Sequence, residues 1–325
     1  MMQTEKTEIV AEIEIQNTAL AEPLAAANDF RRASVSEATK RHYRADWSVY
    51  VGFCIEHGVE PLEAGPDAIA AFCAARAQTG DKVSTITRRL AAIAKAFRTS
   101  RLPSPTTHDA VRETMAGIRR ELGVARRQKS ALVTDAMHAV LSVTEENLRG
   151  ARDRAVLSLG FVGALRRSEI AALDLGDVSF HAEGATVIVR RSKTDQEGAG
   201  SERDITATGS TTCPVAALRA WIAAAGIVEG PLFRELDNTG TRLRPGRMSD
   251  RAVARAVQRL ARAAGLEGDF GGHSLRAGFA TSGTLGGVPR AALKRQGNWK
   301  SDSIMDGYYR RSQRFQVDYS KALGL

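Results

Sequence analysis

The sequence predicts a mainly α-helical protein of two domains, with a small β-hairpin in the second. Three observations lead there. A chain of 325 residues is long enough for two cores. Apolar residues recur at helical spacing through most of it, and strand-like alternation is confined to one stretch. A short basic segment without an apolar stripe, Gly123 to Ser130 (GVARRQKS), separates a wholly helical half from a mixed one.

Residues 1–33 are acidic, Ala-rich and without clear periodicity, and read as a disordered tail. Ser34 with Glu37 three residues on is a capping-box pattern that opens the first helix. Tyr43, Trp47, Tyr50, Val51 and Cys54 share one face of it, and Gly58 ends it. A second helix follows Pro66, runs to about Gln78 and stops at Gly80. The third begins at Ser84, a candidate cap. Its apolar stripe is Ile86, Leu90, Ile93, Ala94 and Phe97, and a different stripe carries Arg88, Lys95 and Arg98. Leu102-Pro103-Ser104-Pro105 breaks the pattern, and a fourth helix spans about 107–122.

Beyond the linker, helices are expected at about 134–147, 151–163 and 166–173. A strand at 185–191, a turn at 193–200 and a second strand near 202–207 form the hairpin. From Pro214 onward the chain reads as mostly helical: about 214–225, 249–264, 274–285, 289–296, 301–310 and 312–323.

Charge narrows the function. The net charge is +9, and the pI is near 9.8. Residues 1–29 hold six acids and one base, so the remainder carries +14. Residues 82–129 alone hold twelve Lys/Arg against three acids. A basic body of this kind is the footprint of a nucleic-acid binder, although a merely solvated surface would also be basic. No apolar run approaches the ~18–20 residues that span a bilayer. The N-terminus lacks the basic and apolar regions of a signal peptide, so a cytoplasmic protein is expected. Cys54, Cys73 and Cys213 form no C-x-x-C pair and read as buried small hydrophobes.

Phosphate-binding loops, dinucleotide fingerprints and zinc-helix motifs are all missing from the sequence. The chemistry-bearing residues are instead cationic and polar: Arg166 and Glu169 in GALRRSE, Lys193 in the hairpin turn, His273 and Arg276 in HSLR, then Trp299 and Tyr308 in GNWKSDSIMDGYYR. Taken singly, each has an ordinary structural reading, such as a surface Arg–Glu pair or a packed Trp. Their order and spacing carry the signal.

These boxes resemble those of the tyrosine recombinase (phage integrase) family. GALRRSE is similar to its first-arginine box, HSLR to its His-x-x-Arg box, and Trp299 precedes Tyr308 by the family's nine residues. The stretch STITRRLAAIAKAFRTSRLPSP resembles the DNA-reading helix of the Cre-like branch. Ala277 replaces a frequent second His, and Trp299 a frequent His; both differences lean toward that branch. The family pattern selects Arg166 over Arg167 and Tyr308 over Tyr309.

The resemblance implies a two-domain DNA clamp. Residues 34–122 would be a helical core-binding domain, 123–131 a linker, and 132–325 an α+β catalytic domain. Arg166 and Arg276 would grip the scissile phosphate, with His273 and Trp299 adding hydrogen bonds. Glu169 would orient its neighbours, Lys193 would act as general acid, and Tyr308 would form a 3′-phosphotyrosyl bond. No metal or cofactor is implied. DNA-contact candidates are Lys40, Arg41, Arg44, Lys82, Thr85, Arg88, Arg89, Lys95, Arg98 and Arg101. The implied partners are duplex DNA with inverted half-sites and a homotetramer on two synapsed sites, in the nucleoid of a bacterial host. Residues 315–325 would dock on a neighbouring protomer. A catalytically silent DNA-binding protein of this fold and a type IB topoisomerase-like enzyme are the alternatives.

Overall fold

A computed structural model of the chain describes residues 20–124, 128–192, 195 and 200–312. Contacts divide the chain into two compact units, Met1–Arg126 and Arg127–Leu325. Several expectations lie outside the described residues: the tail over 1–19, the position of Lys193 and most of its turn at 193–200, the helix at 312–323 beyond Ser312, and the docking segment 315–325.

In the first unit, α1 (Ala21–Ala33) corrects the reading of a tail throughout 1–33. Five of its thirteen residues are alanine, the best helix former. Leu24 and Phe30 remain exposed, so backbone propensity rather than packing accounts for this helix. Ser34 ends α1: its N–H reaches the carbonyls of Phe30 and Arg31. The cap of α2 (Glu37–Glu56) is therefore Ser36, whose hydroxyl accepts from the Thr39 N–H at 3.3 Å.

Pro66 stands in the first turn of α3 (Pro66–Gln78), as expected of a residue with no N–H to lose. α4 (Val83–Thr99) starts after Lys82, so Ser84 lies inside its first turn rather than capping it. α5 (Asp109–Leu122) is capped by His108, whose Nδ1 accepts from the Ala110 N–H. Tyr50, Cys54, Ile69, Phe72, Ile86, Ile93, Phe97, Val111 and Met115 form the core. The Tyr50 and Phe72 rings meet edge to face at 5.2 Å.

The second unit begins by threading residues 130–132 against a later helix. Ser130 N–H bonds the Asp269 carbonyl, and Leu132 N–H bonds that of Ser274. α6 (Thr134–Ser142) is shorter than the periodicity suggested. The Asn147 side chain accepts from the Gly150 N–H and so opens α7 (Leu148–Val162) early. α8 (Arg167–Ala172) leads into an antiparallel sheet of β1 (Val178–Phe180), β2 (Gly184–Val189) and β3 (Ser201–Thr206), in the order β1-β2-β3. Val187 pairs Arg203, and Ala185 pairs Ile205.

After α9 (Pro214–Ala224), a second hairpin of β4 (Arg234–Leu236) and β5 (Leu243–Arg247) fills the stretch between the expected helices at 214–225 and 249–264, to which the sequence assigned no element. Its strands are short, and β5 reads Leu-Arg-Pro-Gly-Arg, so no period-2 pattern announced it. The Asp237 carboxylate, which accepts from the Gly240 and Thr241 N–H groups, holds the turn. α10 (Asp250–Ala263), α11 (Gly272–Leu285), α12 (Arg290–Gly297) and α13 (Asp302–Ser312) complete the unit. Among the described residues no helix is long and apolar enough to cross a membrane.

Candidate active site

Four segments of the second unit converge on one cluster. The first is the turn that ends α7. Leu165 N–H closes back onto the Gly160 carbonyl, and Ala164 takes a left-handed φ of 48° although it is not glycine. Such a residue costs on the order of 1 kcal/mol and persists only where its surroundings hold it. Ala164 is fully buried, and its carbonyl accepts from Arg276 Nη1 at 2.5 Å. The strained turn therefore aims a backbone oxygen at a site residue.

Arg166 follows at the N-cap of α8. Glu169, 2% exposed, reaches back to it twice: Oε2 accepts from the Arg166 N–H at 2.8 Å and Oε1 from its Nη1 at 2.5 Å. This is a capping contact and an ion pair in one. It explains a Glu three residues after the Arg. Arg167 leaves the cluster and pairs with Asp250 at 3.1 Å.

The second segment is the start of α11, capped by the Ser274 hydroxyl accepting from Gly271 N–H. Arg276, one turn in, is 2% exposed. Burial, and then the neighbouring charge of Arg166, push its guanidinium down to about 10 from its ordinary value, so it remains protonated at neutral pH. Its Nη2 is buried with no hydrogen-bond partner among the described residues. His273 keeps an exposed edge, yet partial burial and the Arg276 and Arg166 charges hold its imidazole below the usual range. It is neutral near pH 7 and has one N–H to give.

The third and fourth segments supply Trp299 and Tyr308. Asn298 ends α12 in a left-handed conformation (φ 47°), a familiar helix stop, and Trp299 N–H returns to the Lys294 carbonyl. The indole lies under Arg276, whose guanidinium carbon is 4.2 Å from the ring centre. Tyr308, on α13, sits against the same indole with ring centres 5.8 Å apart. It packs against the apolar cluster formed by Ala164, Ala280, Leu293, Trp299 and Met305. The cluster thus gathers Arg166, Glu169, His273, Arg276, Trp299 and Tyr308 across more than 140 residues of chain.

A model of the phage integrase family matches residues 131–314. The chain is 35% identical over 294 residues to an integrase/recombinase xerD homolog of Selenomonas ruminantium, covering 88% of this chain and 86% of the relative. The chain belongs to the phage integrase family. It is a tyrosine recombinase, an enzyme of site-specific DNA recombination. The recombinase is also 27% identical over 301 residues to the recombinase cre of Escherichia phage P1, covering 86% and 85% of the two chains. Its fold matches lambda integrase residues 75–356 bound to DNA, with a TM-score of 0.59, 18% identity and coverage of 87% and 91%.

In the site of the recombinase Glu169, Arg276 and Trp299 are buried, Arg166 and Tyr308 are half-buried and His273 is exposed. A cavity of about 900 Å³ lies elsewhere, against Arg149, Asp153, Glu235 and Arg259.

The expected DNA contacts of the first unit divide in two. Arg41, Arg44, Lys82, Lys95, Arg98 and Arg101 face solvent. Lys40 and Thr85 are half-buried, and Lys40 bonds Glu37 at 2.7 Å. Arg88 forks onto buried Asp46 at 2.7 and 2.9 Å. Arg89 turns inward: its side chain is 11% exposed and is held by Asp81 and Asp46. It acts as a structural cation, and the sequence offered no sign that Asp46 would claim it. Sequence reasoning also passed over α10, where Arg251, Arg255 and Arg262 are exposed along a helix whose other face is core. Their spacing was a usable signal.

Proposed function

We propose that the recombinase cuts one DNA strand by attack of Tyr308 Oη on phosphorus. As the Oη–P bond forms, the P–O5′ bond breaks. The phenol proton passes to water, and Lys193 gives the departing 5′ oxygen its proton. The product is a 3′-phosphotyrosyl bond and a free 5′-hydroxyl; attack by a 5′-hydroxyl from the other site reverses the step and rejoins the strands. The transition state gathers negative charge on two non-bridging oxygens. Arg166 and Arg276 offer preorganised forked donors to that charge, and His273 and the Trp299 indole Nε1–H add hydrogen bonds. The phosphodiester energy is kept in the covalent bond, so the cycle calls for neither ATP nor metal.

One observation supports this reading: Trp299 touches both Arg276 and Tyr308, so the Tyr308 phenol and a buried guanidinium share one ring. The assembly that follows is a tetramer on two DNA sites with inverted half-sites, acting in the nucleoid. The exposed cations of the first unit and of α10 support phosphate contacts along the duplex.

Covalent capture tests the proposal. Purified protein is incubated with fragmented DNA of its host, denatured in detergent, and the protein-linked fragments are sequenced, with Tyr308→Phe in parallel. Adducts formed only by wild type and sharing an inverted repeat support the recombinase mechanism. Adducts without a shared sequence would favour a topoisomerase-like enzyme. If neither protein forms adducts, even on nicked duplexes that cannot reseal, the assignment of Tyr308 fails.

A further inference from the structure

Arg203 stands on the core face of β3, opposite Val187, and is 2% exposed. A guanidinium so buried normally has its five donors satisfied. Here Nη1 donates to the Glu202 carbonyl at 2.6 Å, whereas Nε and Nη2 have no hydrogen-bond partner among the described residues. Burying an incompletely satisfied cation costs several kcal/mol unless opposite charge compensates it.

Its strand is tied to the site. The carbonyl of the next residue, Asp204, accepts from Gln296 Nε2 at 3.0 Å, and the same Nε2 donates to the Val162 carbonyl at 3.1 Å. Val162 ends α7, and two residues on lies the Ala164 carbonyl that anchors Arg276. One glutamine therefore ties β3 to the turn that presents Arg166. The Arg203 charge is felt by Glu169 as attraction and by Arg166 and Arg276 as repulsion.

We propose that Arg203 is a positioning residue of the phosphate site: a third buried guanidinium near Arg166 and Arg276, whose charge is drawn to the Glu169 carboxylate that Arg166 grips. Among the described residues the cluster then holds three guanidiniums and one carboxylate, a surplus of two positive charges. That surplus matches the two negative charges of a phosphodiester at its five-coordinate transition state, which exceed the single charge of the resting diester. Arg203 touches no phosphate; it acts through the field and through Glu169.

This inference rests on the proposed phosphotyrosyl mechanism. It is tested on nicked duplexes carrying the captured site, one with an ordinary scissile phosphate and one with a methylphosphonate there. The methyl group removes one negative charge from the reacting group. Single-turnover adduct formation is measured for wild type, Arg203→Gln and Tyr308→Phe. Arg203→Gln is expected to lose at least about tenfold in rate on the phosphodiester, with DNA affinity kept, and no more than about threefold on the methylphosphonate.

No loss, or an equal loss on both duplexes, overturns the proposal. Should the glutamine variant fail to fold, Arg203→Lys decides: the retained charge predicts a rate within about threefold of wild type, and a loss of about tenfold or more overturns it. Adducts with wild type but not Tyr308→Phe keep the recombinase mechanism whatever Arg203 does. Their absence with wild type removes both.

Discussion

The guanidinium of Arg276 rests on the indole of Trp299, 4.2 Å from guanidinium carbon to ring centre. The ring has apolar support behind it: Phe279 stacks at 6.4 Å and 20°, and the indole is only 5% exposed. Trp299 is thus a floor for Arg276 and a wall for Tyr308 as well as the proposed phosphate donor. A residue with three contacts in one site can be perturbed from behind.

Gly297 offers the means. A Cβ there would stand 2.0 Å from the Trp299 ring, far inside contact distance. Gly297→Ala must displace the indole, and overpacking of this kind costs about 1–3 kcal/mol. We expect a fall in adduct formation of roughly tenfold or more, with DNA affinity unchanged. Trp299→Ala should lose activity too, and the double variant should be no worse than Trp299→Ala alone, because both changes act through one ring. Losses that add in the double variant would show that Gly297 matters for another reason.

Glu169 holds Arg166 by both carboxylate oxygens from a buried position. Glu169→Ala leaves a guanidinium without its counter-charge, which typically costs about 3–5 kcal/mol. For a unit of this size that corresponds to a melting shift of order 10 °C. Glu169→Gln keeps an acceptor for the Arg166 N–H and should fold better than Ala, yet still slow cleavage. Calorimetry beside single-turnover cleavage separates the two effects, and unchanged melting in Glu169→Ala would refute the ion-pair role.

The site was legible because its residues sit in short boxes whose internal spacing follows from local geometry. Glu169 is three residues after Arg166 because the side chain must return to the first turn of α8; Arg276 is three after His273 because both belong to one turn of α11. Arg203 was invisible, since a lone Arg on a strand resembles any solvent-facing residue until pairing with Val187 turns it inward. The helices of the first unit were readable from their apolar stripes, but Ser34 and Ser84 were equally plausible caps on composition. Ser36 caps α2 because its hydroxyl reaches the Thr39 N–H, and α4 starts after Lys82 with no side-chain cap. The β4–β5 hairpin was missed because its turn, not its strands, specifies it.

The depressed His273 titration gives a pH dependence with a definite sign. The unfolded imidazole, with its ordinary value near 6.5, takes up a proton before the folded one does. Stability is therefore full above about pH 6.5 and declines as pH falls through that value toward the folded pKa. His273→Gln should flatten this part of the profile. Thermal melting of both proteins between about pH 5 and 8 measures it, and parallel profiles would show that His273 does not titrate differently on folding.

Arg89 and Arg98 lie nine residues apart on α4 and should fail in different ways. Arg98 is exposed, and if it meets a phosphate its removal loses one released counterion. For Arg98→Ala the slope of log affinity against log salt should shrink by about 0.9, with melting unchanged. Arg89 is turned in toward Asp46 and Asp81, and Asp46 is itself 3% exposed. Arg89→Ala removes part of the counter-charge of a buried carboxylate, so it should cost about 3 kcal/mol or more in stability while the folded fraction keeps the wild-type salt slope. Melting curves and salt titrations of the two variants on one duplex decide the matter. A reduced slope in Arg89→Ala with normal melting would return Arg89 to the DNA surface.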